Sequence, residues 1–465
     1  MPTPRPVLAV VVALVPACSV SPGQFVQQTY LKASNADAGD DFGRVIALSA
    51  DGMTLVVGAF REDSPSHGIN QSQDNQVADT AIGSFGAVYL FVRKDAGWSQ
   101  DAYIKASNSE VDDWFGRSLA LSADGTTLAV GAPGEDSGSS SDQKSNTADN
   151  SGAVYVFSRS AGSWSQVAYV KASRPAAGDS FGSSVALSGD GSMLVVGAPM
   201  AMAGTGAVGV FARGATWTQT QQLPAPAVGS PAGFGASVAL ALDGSILAVS
   251  APDEEVDAAA GVGAVHVFER ASGMWSGPVR LVATDPGTND DFGSTLAVSG
   301  DGSTLAVGAP RESSAGAAAS VGAVHLFSRS GGSWRSEGHL ALSSTDPGNF
   351  FGLAVALSAD GTSLAVGAPI EPRAAGDEPP DSCAPDLGGT VYRFARSGAT
   401  WSLRTRVQGS NTCKDDYFGQ AVGLSRDGSI LAVGANGEDS ATHGIDQDQN
   451  DNTAHDAGAA YILRY

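Results

Sequence analysis

A short segment recurs seven times along this chain and constrains its fold more than any other feature. The second copy, residues 115–133, reads FGRSLALSADGTTLAVGAP. In every copy an Asp-Gly pair begins nine residues after the Phe. The Phe-Gly pairs begin at Phe42, Phe115, Phe181, Phe234, Phe292, Phe351 and Phe418. Spacing within the copies is fixed, whereas the distance between them varies from 53 to 73 residues. The copies are therefore repeated supersecondary units joined by loops of variable length.

Each copy is predicted to contain four β-strands, because Val and Leu alternate with Ala, Ser and Gly at the strand period of two. In the third copy these strands lie near 183–188, 192–198, 206–212 and 217–223. The Asp-Gly pair predicts a tight turn between the first two, since Gly accepts a positive φ and Asp can bond the turn backbone. The fourth strands begin with Trp98, Trp164, Trp217, Trp275, Trp334 and Trp401.

These four-stranded sheets have apolar residues on both faces and must stack on one another. Seven sheets arranged radially form a β-propeller. The predicted fold class is therefore all-β, a seven-bladed β-propeller of four-stranded antiparallel blades. Its seventh copy stops at Tyr465 without a Trp-led strand, but residues 25–34, FVQQTYLKAS, resemble the missing one. We predict that this N-terminal strand completes the last blade and covers an edge otherwise open to another chain.

The repeat resembles a known family. Phe-Gly is followed by Gly-Ala-Pro at 131–133, 197–199, 308–310 and 367–369, which is similar to the FG-GAP repeat of integrin α-subunit propellers and of many bacterial surface proteins. The resemblance extends over residues 25–465 and implies extracellular binding or adhesion. Integrin blades often hold Ca²⁺ in a long Asp-rich loop between their first two strands. Here that loop is a short Asp-Gly turn with too few oxygens for Ca²⁺, so that site is not expected.

The N-terminus has the pattern of an export signal. Residues 1–17 carry Arg5 and then the apolar run VLAVVVALVPA, which is too short to span a bilayer. Residues 15–18 also resemble a bacterial lipobox, in which Cys18 would be lipidated and anchor the protein to a membrane. Ordinary cleavage after Ala17 is the alternative. We therefore expect an export signal at 1–17, a short tether at 18–24 and a single propeller at 25–465, in an exported protein that is either secreted or a lipoprotein of the cell surface or outer membrane.

The charge balance excludes one class of partner. The chain has 26 Lys and Arg residues against 48 Asp and Glu residues, a net charge of −22, which opposes binding to nucleic acid. Cations, basic proteins and neutral glycans remain. We expect a monomer whose partner is an extracellular protein or glycan, with membrane contact only through the N-terminal lipid.

The loops between second and third strands carry the candidate binding residues. The long ones belong to repeats six, seven, one and two, which are consecutive around a closed ring, and strand parity places them on the face where the linkers enter each Phe-Gly. Three of them open with an acidic pair and continue with many Asp and Asn residues. The ligand- or cation-binding candidates are Glu62, Asp63, Glu135, Asp136, Glu438, Asp439, Asp446, Asp448 and Asp451. Such oxygen clusters suit Ca²⁺, although they also make solvated turns. No cofactor is required.

Two cysteines fall on the same predicted face. Cys383 lies in the long loop of repeat six and Cys413 in the linker to repeat seven. We predict a disulfide between them, since export supplies an oxidising setting. Two unrelated free thiols are the alternative.

The sequence carries no catalytic signature. No HExxH, G-x-S-x-G or phosphate-binding glycine loop is present. His266 and His325 occupy matching positions in GAVHVF and GAVHLF and are interpreted as strand side chains. The leading hypothesis is a non-enzymatic exported module that binds or adheres through the long-loop face. The alternatives are a polysaccharide-active enzyme that uses the loop carboxylates and a surface scaffold.

Overall fold

Regular structure in the described part of this protein consists of β-strands. The computed structural model describes residues 10–12, 25–71, 73, 83–95, 97–226, 232–256, 259, 261–313, 320–342, 348–371, 388–449 and 451–465. Within these ranges no stretch forms a helix of the length and apolarity that a membrane crossing requires. The remaining residues include 1–9 and 13–24, so the export signal, the tether and the lipidation of Cys18 stay predictions.

The strands form seven antiparallel blades around a ring. The two strands before the first repeat are β1 (Val10–Val12) and β2 (Val26–Leu31). Blade 1 consists of β3 (Val45–Leu48), β4 (Thr54–Ala59), β5 (Ala87–Lys94) and β6 (Gly97–Ile104). Blade 2 consists of β7 (Ser118–Leu121), β8 (Thr127–Ala132), β9 (Ala153–Ser160) and β10 (Ser163–Val170). Blade 3 consists of β11 (Ser184–Leu187), β12 (Met193–Ala198), β13 (Ala207–Arg213) and β14 (Trp217–Pro224).

Blade 4 has an outer strand in two parts on either side of Pro278, which has no amide hydrogen to donate. It consists of β15 (Val238–Leu240), β16 (Ile246–Ala251), β17 (Ala264–Ala271), β18 (Met274–Trp275) and β19 (Val279–Leu281). Blade 5 consists of β20 (Thr295–Val298), β21 (Thr304–Ala309), β22 (Ala323–Ser330) and β23 (Ser333–Leu342). Blade 6 consists of β24 (Ala354–Leu357), β25 (Ser363–Ala368), β26 (Thr390–Ser397) and β27 (Thr400–Val407). Blade 7 begins with β28 (Ala421–Leu424), β29 (Ile430–Ala435) and β30 (Ala459–Arg464).

The N-terminal strand completes blade 7, as the sequence predicts. Strand β2 pairs antiparallel with β30, and Tyr30 stands opposite Tyr461. Seven hydrophobic clusters lie between neighbouring blades, and the one that joins blade 7 to blade 1 contains Ile430 and Ile462 from one blade and Val57 from the other. The core is therefore a closed ring of seven interfaces. Strand β1 pairs parallel with β23, on the outer edge of blade 5.

The Asp-Gly pairs form tight turns, which confirms their predicted role. In blade 1 the Asp51 Oδ1 atom accepts hydrogen bonds from Ser49 Oγ at 2.6 Å and from the Met53 amide at 2.9 Å. The Gly52 amide donates to the Ser49 carbonyl at 2.9 Å, with Gly52 at φ +68°. The same Ser and Asp contact is present in every blade except blade 4, where Ala241 replaces the serine.

The tips of these hairpins bond to one another around the propeller axis. In blade 1, for example, the Ala50 amide donates to the Ala123 carbonyl at 3.0 Å and the Ala50 carbonyl accepts from the Arg426 amide at 2.7 Å. Six such backbone bonds run from Ala50 to Ala123, Ala123 to Gly189, Gly189 to Leu242, Leu242 to Gly300, Ala359 to Arg426 and Arg426 to Ala50. They hold the hairpin face close around the axis, whereas the opposite face carries the long loops and linkers.

Candidate functional site

The candidate site is the face where the long loops of blades 7, 1 and 2 meet the linkers that enter these blades. We define the long-loop face by its described residues in the ranges 35–41, 60–71, 107–114, 133–152, 409–417 and 436–458. The loop of blade 6 from 372 to 387, which contains Cys383, lies outside the described residues. The disulfide to Cys413 therefore stays a prediction.

The first carboxylate of each acidic pair is turned into its blade. Glu62, Glu135 and Glu438 have exposed fractions of 0–1%. Each forms an ion pair with a lysine at the end of the outer strand of the same blade. The pairs are Glu62 with Lys105, Glu135 with Lys171 at 2.7 Å, and Glu438 with Lys32 at 2.8 Å. Three of the nine candidate residues are thus engaged with internal partners.

Each ion pair belongs to a larger hydrogen-bond network, which is complete in blade 2. Glu135 Oε1 accepts from Tyr169 Oη at 2.6 Å and from Asn108 Nδ2 at 3.3 Å. Tyr155 Oη in turn donates to Asn108 Oδ1 at 2.5 Å, and Lys171 Nζ also donates to Ser151 Oγ at 2.8 Å. We call this arrangement of Glu, Lys, Asn and Tyr a lysine network.

The same lysine network recurs in two more blades. In blade 1 Asn35 Nδ2 donates to Glu62 Oε1 at 3.0 Å, and Tyr89 Oη donates to Asn35 Oδ1 at 2.6 Å. In blade 7 Asn411 Nδ2 donates to Glu438 Oε1 at 2.8 Å, and Tyr461 Oη donates to Asn411 Oδ1 at 2.7 Å. Blades 7, 1 and 2 therefore carry three copies of one polar arrangement side by side.

A second buried carboxyl group lies next to each lysine network, two residues before the Phe. Asp113 accepts a hydrogen bond from the Glu110 amide at 2.9 Å, and Asp416 accepts one from the Cys413 amide at 2.6 Å. Burial raises the pKa of Asp113 and of Asp416 to about 8, with further upward effects from Glu135 and Glu438. Burial likewise raises the pKa of Asp40 well above its usual range. Asp113 and Asp416 therefore take up protons below about pH 8, which limits the negative charge buried beside Glu135 and Glu438.

The other blades hold the same glutamate differently. A Glu stands twenty residues after the Phe in every repeat except the third, which has Ala201. In blade 4 Glu254 Oε2 lies 2.6 Å from His266 Nε2, and Arg280 also bonds this glutamate. In blade 5 Glu312 contacts His325 in the same way. In blade 6 Glu371 accepts from Tyr392.

Sequence reasoning missed this ring of glutamates because it considered only the acidic pairs of the long loops. A count at fixed distance from the Phe would have found Glu254, Glu312 and Glu371. His266 and His325 do lie on strands, as expected.

Asp446 anchors the long loop of blade 7 to the closing strand. Its Oδ1 atom accepts from the Tyr30 amide at 2.8 Å, while its own amide donates to the Tyr30 carbonyl at 2.8 Å. Asn70 does the same in blade 1, where it bonds both backbone groups of Tyr103 at 2.8–2.9 Å. Both long loops therefore lie along the outer edge of their blade as a short additional strand segment.

The other five candidates lie closer to the surface. Asp136 Oδ1 accepts from the Asn150 amide at 2.6 Å, and Asp439 Oδ1 accepts from the Asp456 amide at 2.9 Å. Asp63 and Asp451 are partly exposed, and Asp448 is exposed. In the described parts of the chain, no three His, Cys, Asp or Glu side chains are grouped so that they could hold a metal ion. Calcium binding by these loops stays a prediction.

Aromatic side chains stand at the entrance of three blades with an unusual backbone conformation. The residue just before the Phe has a left-handed φ in all seven repeats, and it is Trp114 (φ 56°) in blade 2, Phe350 (φ 53°) in blade 6 and Tyr417 (φ 59°) in blade 7. The turn imposes this conformation, since the Arg117 amide donates to the Trp114 carbonyl at 3.1 Å. Glycine fits this geometry best and occupies it in blade 4 as Gly233.

Two cationic side chains lie over another aromatic ring, that of Phe60 after β4. The guanidinium groups of Arg61 and Arg117 stand 5.6 and 5.5 Å from the centre of the Phe60 ring. Arg61 also pairs with Asp41 at 3.3 Å. Trp114, in the neighbouring blade, is 38% exposed. The inner part of the face is thus aromatic and cationic, whereas its outer loops are acidic.

The chain matches the model of one protein family over four segments. The model of the FG-GAP repeat matches residues 25–91, 98–157, 164–211 and 275–327, each segment running from an outer strand into the next blade. No curated protein sequence matches this chain.

Proposed function

Because this chain is an FG-GAP repeat β-propeller, we propose that it is a non-enzymatic module that binds an extracellular protein or glycan on its long-loop face. FG-GAP repeats are typical of extracellular or cell-surface proteins. The proposal includes export through residues 1–17 and, where Cys18 is lipidated, attachment to the outside of a membrane.

The observation that carries the proposal is the strained position of Trp114. A bulky residue in the left-handed region is a conformational outlier, and such outliers concentrate at ligand-binding sites. The fold itself accepts glycine there, as Gly233 demonstrates. A large exposed aromatic ring at this position is therefore better explained by a contact outside the chain. Trp and Arg dominate binding energy in protein interfaces, and the Arg117 amide bonds the Trp114 carbonyl while the guanidinium groups of Arg117 and Arg61 lie over the Phe60 ring.

The surrounding loops support binding because they are held in place before any ligand arrives. The long loops of blades 7 and 1 are bonded to the outer strands through Asp446 and Asn70. Buried lysine networks fix their first residues. A surface that is already ordered loses less conformational entropy on binding. The exposed acidic side chains of these loops, such as Asp142, Asp149 and Asp448, favour a partner that is basic or carries hydrogen-bond donors.

The test uses Trp114→Gly, which removes the ring and relieves the backbone strain. We expect this variant to fold at least as well as the wild type and to bind about tenfold or more weakly. The probes are an array of neutral and amino-sugar glycans and a set of immobilised basic extracellular proteins. Met274→Ala is the matched control, because Met274 is 63% exposed in the hairpin between β17 and β18, on the opposite face.

Two results would overturn the proposal: unchanged binding by Trp114→Gly, or binding by the wild type to none of the probes. Release of reducing sugar from the glycans, abolished by Asp448→Asn, would instead support the polysaccharide-active enzyme. A chain that neither binds nor hydrolyses any probe would support the surface scaffold.

A further inference from the structure

Blades 7, 1 and 2 each bring an amine and a carboxamide onto the two oxygens of one buried carboxyl group. In blade 2 Lys171 Nζ donates to Glu135 Oε2, while Asn108 Nδ2 donates to Glu135 Oε1. The same assignment of oxygens holds in the other two blades. We call these sets the triads, namely Lys171–Glu135–Asn108, Lys105–Glu62–Asn35 and Lys32–Glu438–Asn411.

The triads are shielded from water. In blade 7 the exposed fractions are 0% for Lys32, 1% for Glu438 and 5% for Asn411. A buried ammonium–carboxylate pair loses much of its hydration, and its attraction repays that loss only partly. Burial lowers the pKa of Lys32, Lys105 and Lys171 against the opposing effect of the glutamates. The neutral amine is therefore more accessible here than on the surface.

Comparison of the seven repeats shows that the lysine and the asparagine occur together. The glutamate is retained in blades 4, 5 and 6, so its presence does not depend on a lysine. Lysine and asparagine, by contrast, occur together in blades 7, 1 and 2 and are both missing from the other four blades. At the lysine position blades 3 to 6 have Pro224, Val282, Ala341 and Gln408, and at the asparagine position they have Arg174, Ala227, Asp285 and Ser344. A lysine that served only as the ion-pair partner of the glutamate would not need an asparagine in the same blade.

We propose that in each triad the lysine amine displaces the amide nitrogen of the asparagine and forms an intramolecular isopeptide bond. In blade 2 the Lys171 Nζ–Asn108 Cγ bond forms and the Cγ–Nδ2 bond of Asn108 breaks. Glu135 takes a proton from Nζ and delivers a proton to the departing nitrogen. Ammonia leaves, and no oxidant or reductant is needed.

The contact that a tyrosine makes with the asparagine also fits this reaction. Tyr155 Oη donates to Asn108 Oδ1 at 2.5 Å, and this oxygen gains negative charge as the amine adds to Cγ. A hydrogen-bond donor already in place there stabilises the developing oxyanion. One carboxyl group that contacts both nitrogens can act as general base and then as general acid. Both nitrogens are held against one carboxylate, which limits the distance between them and favours reaction within the triad.

The bond in blade 7 would lock the ring. Lys32 lies at the end of the closing strand β2, and Asn411 lies in the linker that enters blade 7. The other two bonds would join an outer strand to the linker that enters the same blade. A covalent closure suits a module that must keep its shape outside the cell.

Mass spectrometry of the full-length purified protein tests the proposal. Each bond removes ammonia, about 17 Da, so three bonds lower the mass by about 51 Da. Tryptic digestion should give one branched species, in which four peptides are joined by the bonds Lys32–Asn411, Lys105–Asn35 and Lys171–Asn108, with no cleavage after these lysines, because Lys32 shares a peptide with Asn35 and Lys105 shares one with Asn108. The exposed Lys144 is the control, since cleavage after it should be complete.

A matched variant ties the mass loss to the chemistry. Glu135→Gln keeps hydrogen-bonding capacity but cannot carry a carboxyl proton. We expect it to release the Lys171 peptide from the branched species and to restore about 17 Da, allowing for the substituted atom. Recovery of all three lysines in linear peptides from the folded wild type would overturn the proposal. Branched peptides that persist unchanged in Glu135→Gln would overturn the role of the glutamate.

Discussion

Blades 2 and 5 carry a glutamate at the same place in the repeat but bury it with different partners. Glu135 of blade 2 pairs with the amine of Lys171, whereas Glu312 of blade 5 pairs with the imidazole of His325. The loop after β8 in blade 2 runs to Ala153. Blade 4, whose glutamate also pairs with a histidine, has a shorter loop, which runs from Ala251 to Ala264. A long loop and its linker can surround a lysine and satisfy its hydrogen bonds. In blade 4, which has a shorter loop, the glutamate also pairs with Arg280, whose side chain is 37% exposed to water.

The different partners of the two glutamates show which feature the repeats share and which one varies. Six of the seven blades keep a buried glutamate where loop and linker meet, and blade 3 has Ala201 there instead. The repeat allows the donor to vary from lysine in blades 7, 1 and 2 to histidine in blades 4 and 5 and tyrosine in blade 6, whose loop is also long. The lysine version occurs in the three consecutive blades whose loops form the long-loop face, so buried polar structure and exposed surface change together.

The largest expected effect comes from removing the strand on which blade 7 depends. Deleting residues 25–34 takes away β2 and leaves Glu438 without Lys32. Since each kcal/mol lost shifts the melting temperature by about 2–4 °C in a chain of this size, we expect a decrease of roughly 10 °C or more. The free edge of β30 should also promote aggregation.

Calorimetry and light scattering measure both effects, with a chain that lacks only residues 1–24 as the control. An unchanged melting curve would show that the ring does not need its N-terminal strand.

A smaller but more specific effect should distinguish the blades whose glutamate pairs with a lysine from those whose glutamate pairs with a histidine. Glu135→Ala leaves the Lys171 ammonium buried without its carboxylate, which costs about 3–5 kcal/mol of unfolding free energy. Glu312→Ala should cost less, about 1–3 kcal/mol, because it removes a hydrogen-bond partner of an imidazole rather than the counter-charge of a buried ammonium group.

Urea unfolding at pH 7 measures the two losses. Equal losses in the two variants would mean that the partner's charge has no bearing on the stability of the blade.

The smallest expected effect depends on pH and concerns the second buried carboxyl group. Burial raises the pKa of Asp113 to about 8 in the folded protein, while the unfolded chain ionises near its ordinary value of 3.8. Between these values the folded state holds a proton that the unfolded state has released, so stability falls as the pH rises from about 4 to 8. Asp113→Asn cannot ionise and should be more stable than the wild type at pH 9, by about 1–3 kcal/mol, with little difference at pH 5.

Blade 6 supplies the precedent for this change, since Asn349 occupies the same position and is buried. The exposed Asp142→Asn is the control. Destabilisation of Asp113→Asn at pH 9 would mean that Asp113 is charged and favourably paired in the folded state.

Much of the fold follows from the sequence, because seven copies with the same internal spacing show where the strands and turns lie. The distance from Phe42 to Asp51 and its six equivalents fixes the first hairpin of every blade, and the structure confirms it. The match between Phe25 and Trp98, each seven residues before a lysine, identifies the closing strand. Both inferences depend on short, repeated spacings that one chain displays seven times.

The site was predicted less completely, for a physical reason. Glu135 and Asp136 are adjacent acidic residues in a polar loop, and their residue types alone predict the same binding role for both. In the structure the first points inward and the second contacts the loop backbone. The inward partner, Lys171, is 36 residues away along the chain, and in blade 7 the corresponding separation between Lys32 and Glu438 is 406 residues. Only the folded chain brings these charges together.

By itself, then, the sequence determined the number of blades, their strands, their tight turns and the closure of the ring, because these depend on local spacing and on apolar periodicity. The tertiary structure alone decided which carboxylates are buried, which lysines and asparagines they hold, and that Trp114 stands strained at the surface. Those outcomes depend on contacts between distant segments and on the exclusion of water, neither of which a local pattern records.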